Sequence, residues 1–127
     1  MESSKIILCV DDDPIILSML MFQLNKSLDP MKHIIESESD PSAVLDILES
    51  YELGESDELT MILDYQMPKM NGAELAIEIK KAYPRSRCIM LSGQSTEAVV
   101  EELLSIGVLE HLLYKPWNEK DLIEAIA

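Results

Sequence analysis

Five times along the chain, a short apolar run bounded by turn residues gives way to a longer segment of helical period. The runs occupy residues 6–10, 33–37, 61–64, 88–91 and 109–114, and the helical segments occupy 14–26, 42–51, 73–82, 97–105 and 119–127. Runs this short are strand-sized, whereas the segments between them are long enough for helices. Strict alternation of the two points to a parallel sheet covered by helices on both faces. The punctuation agrees: Pro14 and Pro41 suit the first turn of a helix, Ser95 or Thr96 and Asn118 can cap one, and Pro84 and Gly107 fall just past helix ends. At 127 residues, 47% apolar and 27% charged, the chain is the size of one domain with a real core. It has no internal repeat, low-complexity tract or linker. The last helical segment stops at Ala127, short for the terminal helix of such a domain, so the chain reads as part of a longer protein.

Charge narrows the function. Against 10 basic residues stand 24 acidic ones, a net −14, and such a surface repels the phosphates of DNA or RNA, so no direct nucleic-acid contact is expected. The excess acid gathers in residues 36–40 and 49–58, as expected of solvated ends of elements. Cys9 and Cys88 lie inside strand-like runs without metal-ligand spacing, so buried, reduced thiols and a cytoplasmic location are expected. The first four residues lack a basic segment, and the longest nearly apolar stretch, 14–22, is too short to span a bilayer, so no membrane association is expected.

Four of the five runs end in polar signals. Asp11-Asp12-Asp13 follows the first, Asp64 closes the third, Ser92-Gly93 ends the fourth and Lys115-Pro116 follows the fifth; the second run has none. In an open α/β sheet such strand ends converge on one crevice. Carboxylates from Asp11, Asp12 and Asp64 at one edge cannot all ionise cheaply, so either their pKa values rise or a metal sits among them. Oxygen-only ligands without nearby His or Cys favour Mg²⁺ or Mn²⁺ over zinc, and magnesium commonly bridges carboxylates to a phosphate. Lys115 supplies a point charge, Ser92 a hydroxyl and Gly93 an unobstructed backbone N–H, all suited to a phosphoryl oxygen. Asp64 could then serve as an in-line nucleophile whose product is an aspartyl phosphate. Alone, each signal is ordinary, because an Asp triplet often caps a helix and a Lys-Pro pair often marks a loop. Together, at four strand ends, they describe a site.

These residues fall in four motifs: V-D-D-D-P at 10–14, L-D-Y-Q-M-P-K-M-N-G at 63–72, M-L-S-G at 90–93 and Y-K-P-W at 114–117. In order and spacing the chain resembles the receiver domain of two-component response regulators over nearly its whole length. The resemblance implies a flavodoxin-like (βα)5 three-layer sandwich with a five-stranded parallel sheet in the order 2-1-3-4-5. It implies a single receiver domain over residues 1–127, the N-terminal part of a longer response regulator. Asp64 matches the phosphoacceptor, Asp12 the direct Mg²⁺ ligand, Asp11 the ligand acting through water, and Gln66 the residue whose backbone carbonyl completes the metal site. Asp13 is a bystander. Ser92 matches the switch hydroxyl and Lys115 the phosphoryl-binding lysine, followed by a bond to Pro116 that is often cis in the family. Gln66 and Gln94 occupy the positions that tune phosphate lifetime. Leu112 departs from the pattern, since that position is usually aromatic in receivers that couple hydroxyl motion to ring rotation; Tyr114, two residues on, should face the same side nearer the site. Trp117 is expected to be partly buried over the Lys-Pro turn.

The first helix adds a further expectation. Ile15, Met19 and Phe22 share one helical face, and Ile16, Leu17, Leu20, Met21 and Leu24 supply another, too much apolar surface for a helix buried on one side. Two readings are open: the helix is thoroughly buried, or it carries a docking surface, since in receivers this helix meets the histidine-bearing partner and an exposed Met- and Phe-containing patch suits that role. The leading function is therefore a switch that takes a phosphoryl group on Asp64 from a sensor histidine kinase or a histidine phosphotransfer protein. Its charge change would act on an output domain or downstream protein, or make a homodimer, through the face formed by the fourth helix, fifth strand and fifth helix. Two alternatives stand beside it. A phosphohydrolase of the haloacid-dehalogenase type would use Asp11 in the D-x-D spacing, but that family expects Thr or Val where Ile15 stands. A phosphorylation-independent binding module fits Leu112 but not the full set of charged residues.

Overall fold

The computed structural model describes residues 3–93 and 97–127. Its elements run β1 (Lys5–Val10), α1 (Pro14–Ser27), β2 (His33–Glu38), a 3-10 turn (Pro41–Ala43), α2 (Val44–Ser50), β3 (Glu58–Asp64), α3 (Gly72–Ala82), β4 (Arg87–Ser92), α4 (Ala98–Ser105), β5 (His111–Tyr114) and α5 (Glu119–Ile126). The strands form one parallel sheet, as the alternation implies, in the order β2-β1-β3-β4-β5 that the resemblance implies. β1, β3 and β4 occupy the middle and are buried on both faces, which is why they read as continuous apolar runs. Edge strand β2 alternates instead, with Ile34 and Glu36 exposed.

Strand alternation divides the core in two. Ile6, Leu8 and Val10 of β1, Met61 and Leu63 of β3, and Cys88 and Met90 of β4 pack under α2, α3 and α4. Ile7 and Cys9, Ile62, and Ile89 and Leu91 pack under α1 and α5. The two cysteines thus lie on opposite faces of the sheet, both buried and free. Burial pushes the Cys9 thiol up to about 12 and the Cys88 thiol up to about 11, so neither is a reactive thiolate near neutral pH.

Helix starts follow side-chain chemistry. The Asp13 carboxylate accepts from Ile15 N–H at 2.8 Å with Pro14 next in line, Asn71 and Glu74 form a capping box, and Asn118 accepts from Asp121 N–H at 2.8 Å. Asp13, expected to be a bystander, therefore starts α1. Ser95 and Thr96, expected as caps of α4, lie outside the described residues. The expected helix over 42–51 splits into the 3-10 turn and α2, because Asp40 accepts from Ser42 N–H at 2.9 Å and winds the chain tightly at Pro41. β3 starts before its apolar run, because Glu58 and Lys5 are paired across the ladder. β5 starts later than expected, at His111; Leu109 is buried just before it.

At the opposite end of β4 from Ser92, Arg87 closes the last turn of α5. Its guanidinium donates to Ile126 O at 2.6 Å and Ala125 O at 2.8 Å, and it is paired with Glu110 at 2.6 Å. A cation on the exposed carbonyls of a helix C-terminus complements both the orphan acceptors and the helix dipole.

Gly72 fixes the loop that leaves β3. Its N–H donates to Tyr65 O at 2.8 Å, and a Cβ there would stand 2.3 Å from the Asp64 carbonyl oxygen and 2.9 Å from Met90 Sδ. No side chain fits between backbone and core at that distance, so α3 can approach the end of β3 only through glycine. We predict that Gly72→Ala lowers stability in urea by about 2–4 kcal/mol, the range of a buried clash that must move backbone. A loss below about 1 kcal/mol would show that the loop relaxes away from Asp64 freely.

Candidate functional site

The strand ends bring Asp11, Asp12 and Asp64 together, with one carboxylate oxygen from each lying within 4.8 Å of the others. Asp11 and Asp64 are buried, whereas Asp12 is exposed. One oxygen of Asp11 accepts from Asp13 N–H at 2.9 Å, which orients the carboxylate from the start of α1. Its other oxygen accepts from Lys115 Nζ at 3.0 Å, and the same ammonium donates to Asp64 Oδ1 at 2.7 Å. Lys115 is delivered by an extension of the ladder beyond β5, in which its backbone N–H donates to Ser92 O at 2.8 Å. The Lys115–Pro116 bond is cis.

Ser92 is buried at the last position of β4, opposite Tyr114 in register. Gln66 is exposed, one residue past Tyr65, whose N–H donates to Leu91 O at 2.9 Å. Gln94 lies outside the described residues. Leu112 is half-buried against the layer under α2, α3 and α4, opposite Met90, while Tyr114 is exposed. On α1, Leu17, Leu20 and Leu24 are buried, and Ile15, Met19 and Phe22 are 69%, 42% and 68% exposed. The two apolar faces read from the sequence are thus one core face and one open face. Trp117 packs half-buried against the layer under α1 and α5, over the turn as expected, and its indole N–H donates to Gln23 Oε1 at 2.7 Å.

Two of the three carboxylates share one ammonium, and the balance shows in the protonation of Asp64. Burial raises the Asp64 carboxyl most strongly; the Lys115 hydrogen bond opposes it and the charges of Asp11 and Asp12 add to it, leaving it pushed up to about 6. For Lys115, burial works against the charged form, and its hydrogen bonds to Asp64 and Asp11 outweigh that and raise it. An oxygen-only cluster with surplus negative charge and one exposed member fits a hard divalent cation. Of the three, Asp12 is the one open to solvent.

Several of these features escaped sequence reasoning. The Asp13 cap was detectable from the Asp-Pro pair at a helix start. The clearance at Gly72 and the Trp117–Gln23 bond carry no local signal.

A parallel sheet in the order β2-β1-β3-β4-β5, with three carboxylates and one lysine in the crevice at its C-terminal edge, defines the receiver class of α/β domains. The sequence model of the response regulator receiver domain matches residues 7–127, and the chain belongs to that family, whose members act in two-component signalling. Among similar proteins, the chemotaxis protein CheY of Thermotoga maritima is 32% identical over 79 residues, 62% of this chain and 63% of that protein. The transcriptional regulatory protein DegU of Brevibacillus brevis is 26% identical over 100 residues, 79% of this chain but 40% of its own length. The chain therefore spans less than two thirds of each of these relatives. Of solved structures, a response regulator receiver domain protein from Clostridium thermocellum superposes with a TM-score of 0.81 at 28% identity, covering 97% of this chain and 90% of that one. The signal receiver domain of an HD domain-containing protein from Pseudomonas fluorescens Pf-5 gives a TM-score of 0.81 at 25% identity, covering 99% and 86%. No helix among the described residues is long and apolar enough to cross a membrane.

The raised Asp64 pKa carries a prediction of defined sign. With a folded value of about 6 against the ordinary Asp value of 3.8, the folded state binds this proton more tightly than the unfolded chain. In the absence of divalent metal, ionising Asp64 therefore costs stability as pH rises between those two values, and the cost is complete above the folded value. Asp64→Asn should be the more stable protein at pH 7 by up to about 3 kcal/mol, with the difference vanishing near pH 4. Urea unfolding of both proteins in chelator across that range checks this; a difference independent of pH would contradict it.

Proposed function

We propose that this domain is a phosphorylation-controlled switch in which Asp64 accepts a phosphoryl group from a phosphohistidine. The observation that carries this reading is the Lys115 ammonium lying 2.7 Å from Asp64 Oδ1 and 3.0 Å from Asp11 Oδ2, at the edge where Asp12 is open to solvent. An Asp64 oxygen attacks phosphorus in line, the P–N bond of the donor breaks, and the imidazole nitrogen keeps the electron pair and takes up a proton. The product is a mixed anhydride on Asp64. Lys115 is already within reach of a group on that oxygen and stabilises its added charge, while Ser92 offers its hydroxyl to a phosphoryl oxygen.

Asp11, Asp12 and Asp64, with the backbone carbonyl of Gln66, would hold Mg²⁺, or Mn²⁺, and the bound ion would neutralise charge on the phosphoryl oxygens. Gln66, exposed beside Asp64, and Gln94 set how readily water reaches the anhydride, so the domain assists both its own phosphorylation and its dephosphorylation. The donor is a sensor histidine kinase or a histidine phosphotransfer protein in the cytoplasm. The recipient of the switch is an output domain, a downstream protein or a second copy meeting the face formed by α4, β5 and α5. With Leu112 in the position usually held by an aromatic ring, Ser92 motion is transmitted by aliphatic repacking against the layer under α3 and α4.

Two experiments test this. After incubation with Mg²⁺ and acetyl phosphate, intact mass should show one added phosphoryl group that Asp64→Asn abolishes. Absence of the adduct, with beryllofluoride also failing to bind, would leave a phosphorylation-independent binding module. For the docking face, Met19→Ala with Phe22→Ala should slow transfer from a phosphorylated histidine protein about 10- to 100-fold, as removal of exposed apolar anchors does, while acetyl phosphate is used unchanged. Equal losses with both donors would remove α1 from the docking role.

A further inference from the structure

We propose that Trp117 is a positioning residue for Lys115, held by Gln23 of α1. The inference rests on reading Lys115 as the phosphoryl-binding cation and adds how its backbone is placed. Behind Lys115 the chain is fixed, because its N–H donates to Ser92 O at 2.8 Å. Ahead of it the chain leaves β5 and enters α5 only at Glu119. Within that turn Trp117, the single tryptophan of the chain, packs half-buried against the layer under α1 and α5, and its indole N–H donates to Gln23 Oε1 at 2.7 Å. One turn further along α1, Lys26 pairs with Glu119 at 3.1 Å, so the turn is tied to the helix at two points. The Lys26–Glu119 pair is largely exposed and contributes little. The indole bond is the firmer tie, since an indole N–H can only donate and is costly to leave unpaired when buried.

The ammonium of Lys115 sits at the end of a long side chain, so a small pivot of residues 115–118 displaces it relative to Asp64. A displacement of about 1 Å in a charged group of a phosphoryl site is enough to change rate or affinity tenfold or more. The carboxylates that would hold the metal lie just past β1 and at the end of β3, and their backbone is placed by the sheet rather than by this turn, which reaches Asp11 and Asp64 only through the Lys115 ammonium. Loss of the Trp117 tie should therefore weaken recognition of the phosphoryl group and spare metal binding. General unfolding would weaken both.

The test uses the full chain with Trp117→Phe, Gln23→Leu and Gln23→Glu, beside Lys115→Ala. Calorimetry measures Mg²⁺ affinity and then beryllofluoride affinity in Mg²⁺, and intact mass follows the rate of modification by acetyl phosphate. Trp117→Phe and Gln23→Leu should each lower beryllofluoride affinity and the modification rate about 5- to 10-fold, with Mg²⁺ affinity within about twofold of wild type. Gln23→Glu, which keeps an acceptor oxygen, should restore near-wild-type values. The proposal is overturned if Trp117→Phe and Gln23→Leu bind beryllofluoride as wild type does while Lys115→Ala does not. Parallel loss of Mg²⁺ and beryllofluoride affinity, with Gln23→Glu no better than Gln23→Leu, overturns it as well. If wild type binds Mg²⁺ but neither beryllofluoride nor a phosphoryl group, the phosphoacceptor reading itself fails and this proposal with it.

Discussion

A single ammonium shared by two buried carboxylates governs this molecule. Asp11 and Asp64 sit at the ends of neighbouring strands, and among the described residues Lys115 is the cation bonded to both, reaching them from beyond the sheet's far edge strand. Two adjacent buried anions would repel each other and shed water at a cost of several kcal/mol, so the parallel arrangement of β1 and β3 is compatible with the charge pattern only because β5 supplies the counterion. The pairing remains incomplete: three acids against one base leave surplus negative charge at the open edge. That surplus makes the crevice receptive to a cation while keeping Asp64 from being an inert structural anion.

The surrounding scaffold serves this arrangement by fixing backbone. Gly72 lets α3 begin against the Asp64 carbonyl, Asp13 begins α1 while its own N–H orients Asp11, and Ser92 O holds the Lys115 N–H. Each contact places a functional side chain from a strand end or helix start, the most rigid points available in an α/β domain. The same Asp13 cap that helps orient Asp11 also begins the helix whose open face carries Ile15, Met19 and Phe22.

Much of this was legible in the residues alone. Alternating strand-sized and helix-sized segments dictate the layers, and the recurrence of Asp, Asp, Ser and Lys at strand ends marks one edge, because side-chain period and run length are local properties. The two apolar faces of α1 were legible for the same reason, but only the structure decides that the face of Ile15, Met19 and Phe22 is exposed rather than buried. Illegible were features that depend on distances between remote segments. Trp117 and Gln23 are 94 positions apart, and the clearance at Gly72 depends on Met90 from another strand. Asp13 has no role in the motif's chemistry, and the work it does is the helix capping that an Asp triplet often supplies. The split before α2 was missed because the apolar period continues through a turn that Asp40 tightens.

β4 joins the two ends of the domain mechanically. Ser92 stands at one end in the crevice, and Arg87 at the other grips the last carbonyls of α5. The strand from one to the other has six residues, both ends included, about 17 Å of extended chain by the usual strand rise, laddered to β3 and β5. The strand that presents Ser92 to the crevice is the one whose first residue holds the last carbonyls of α5. The fold thus carries, in its covalent backbone, a direct line from the acidic edge to the opposite pole.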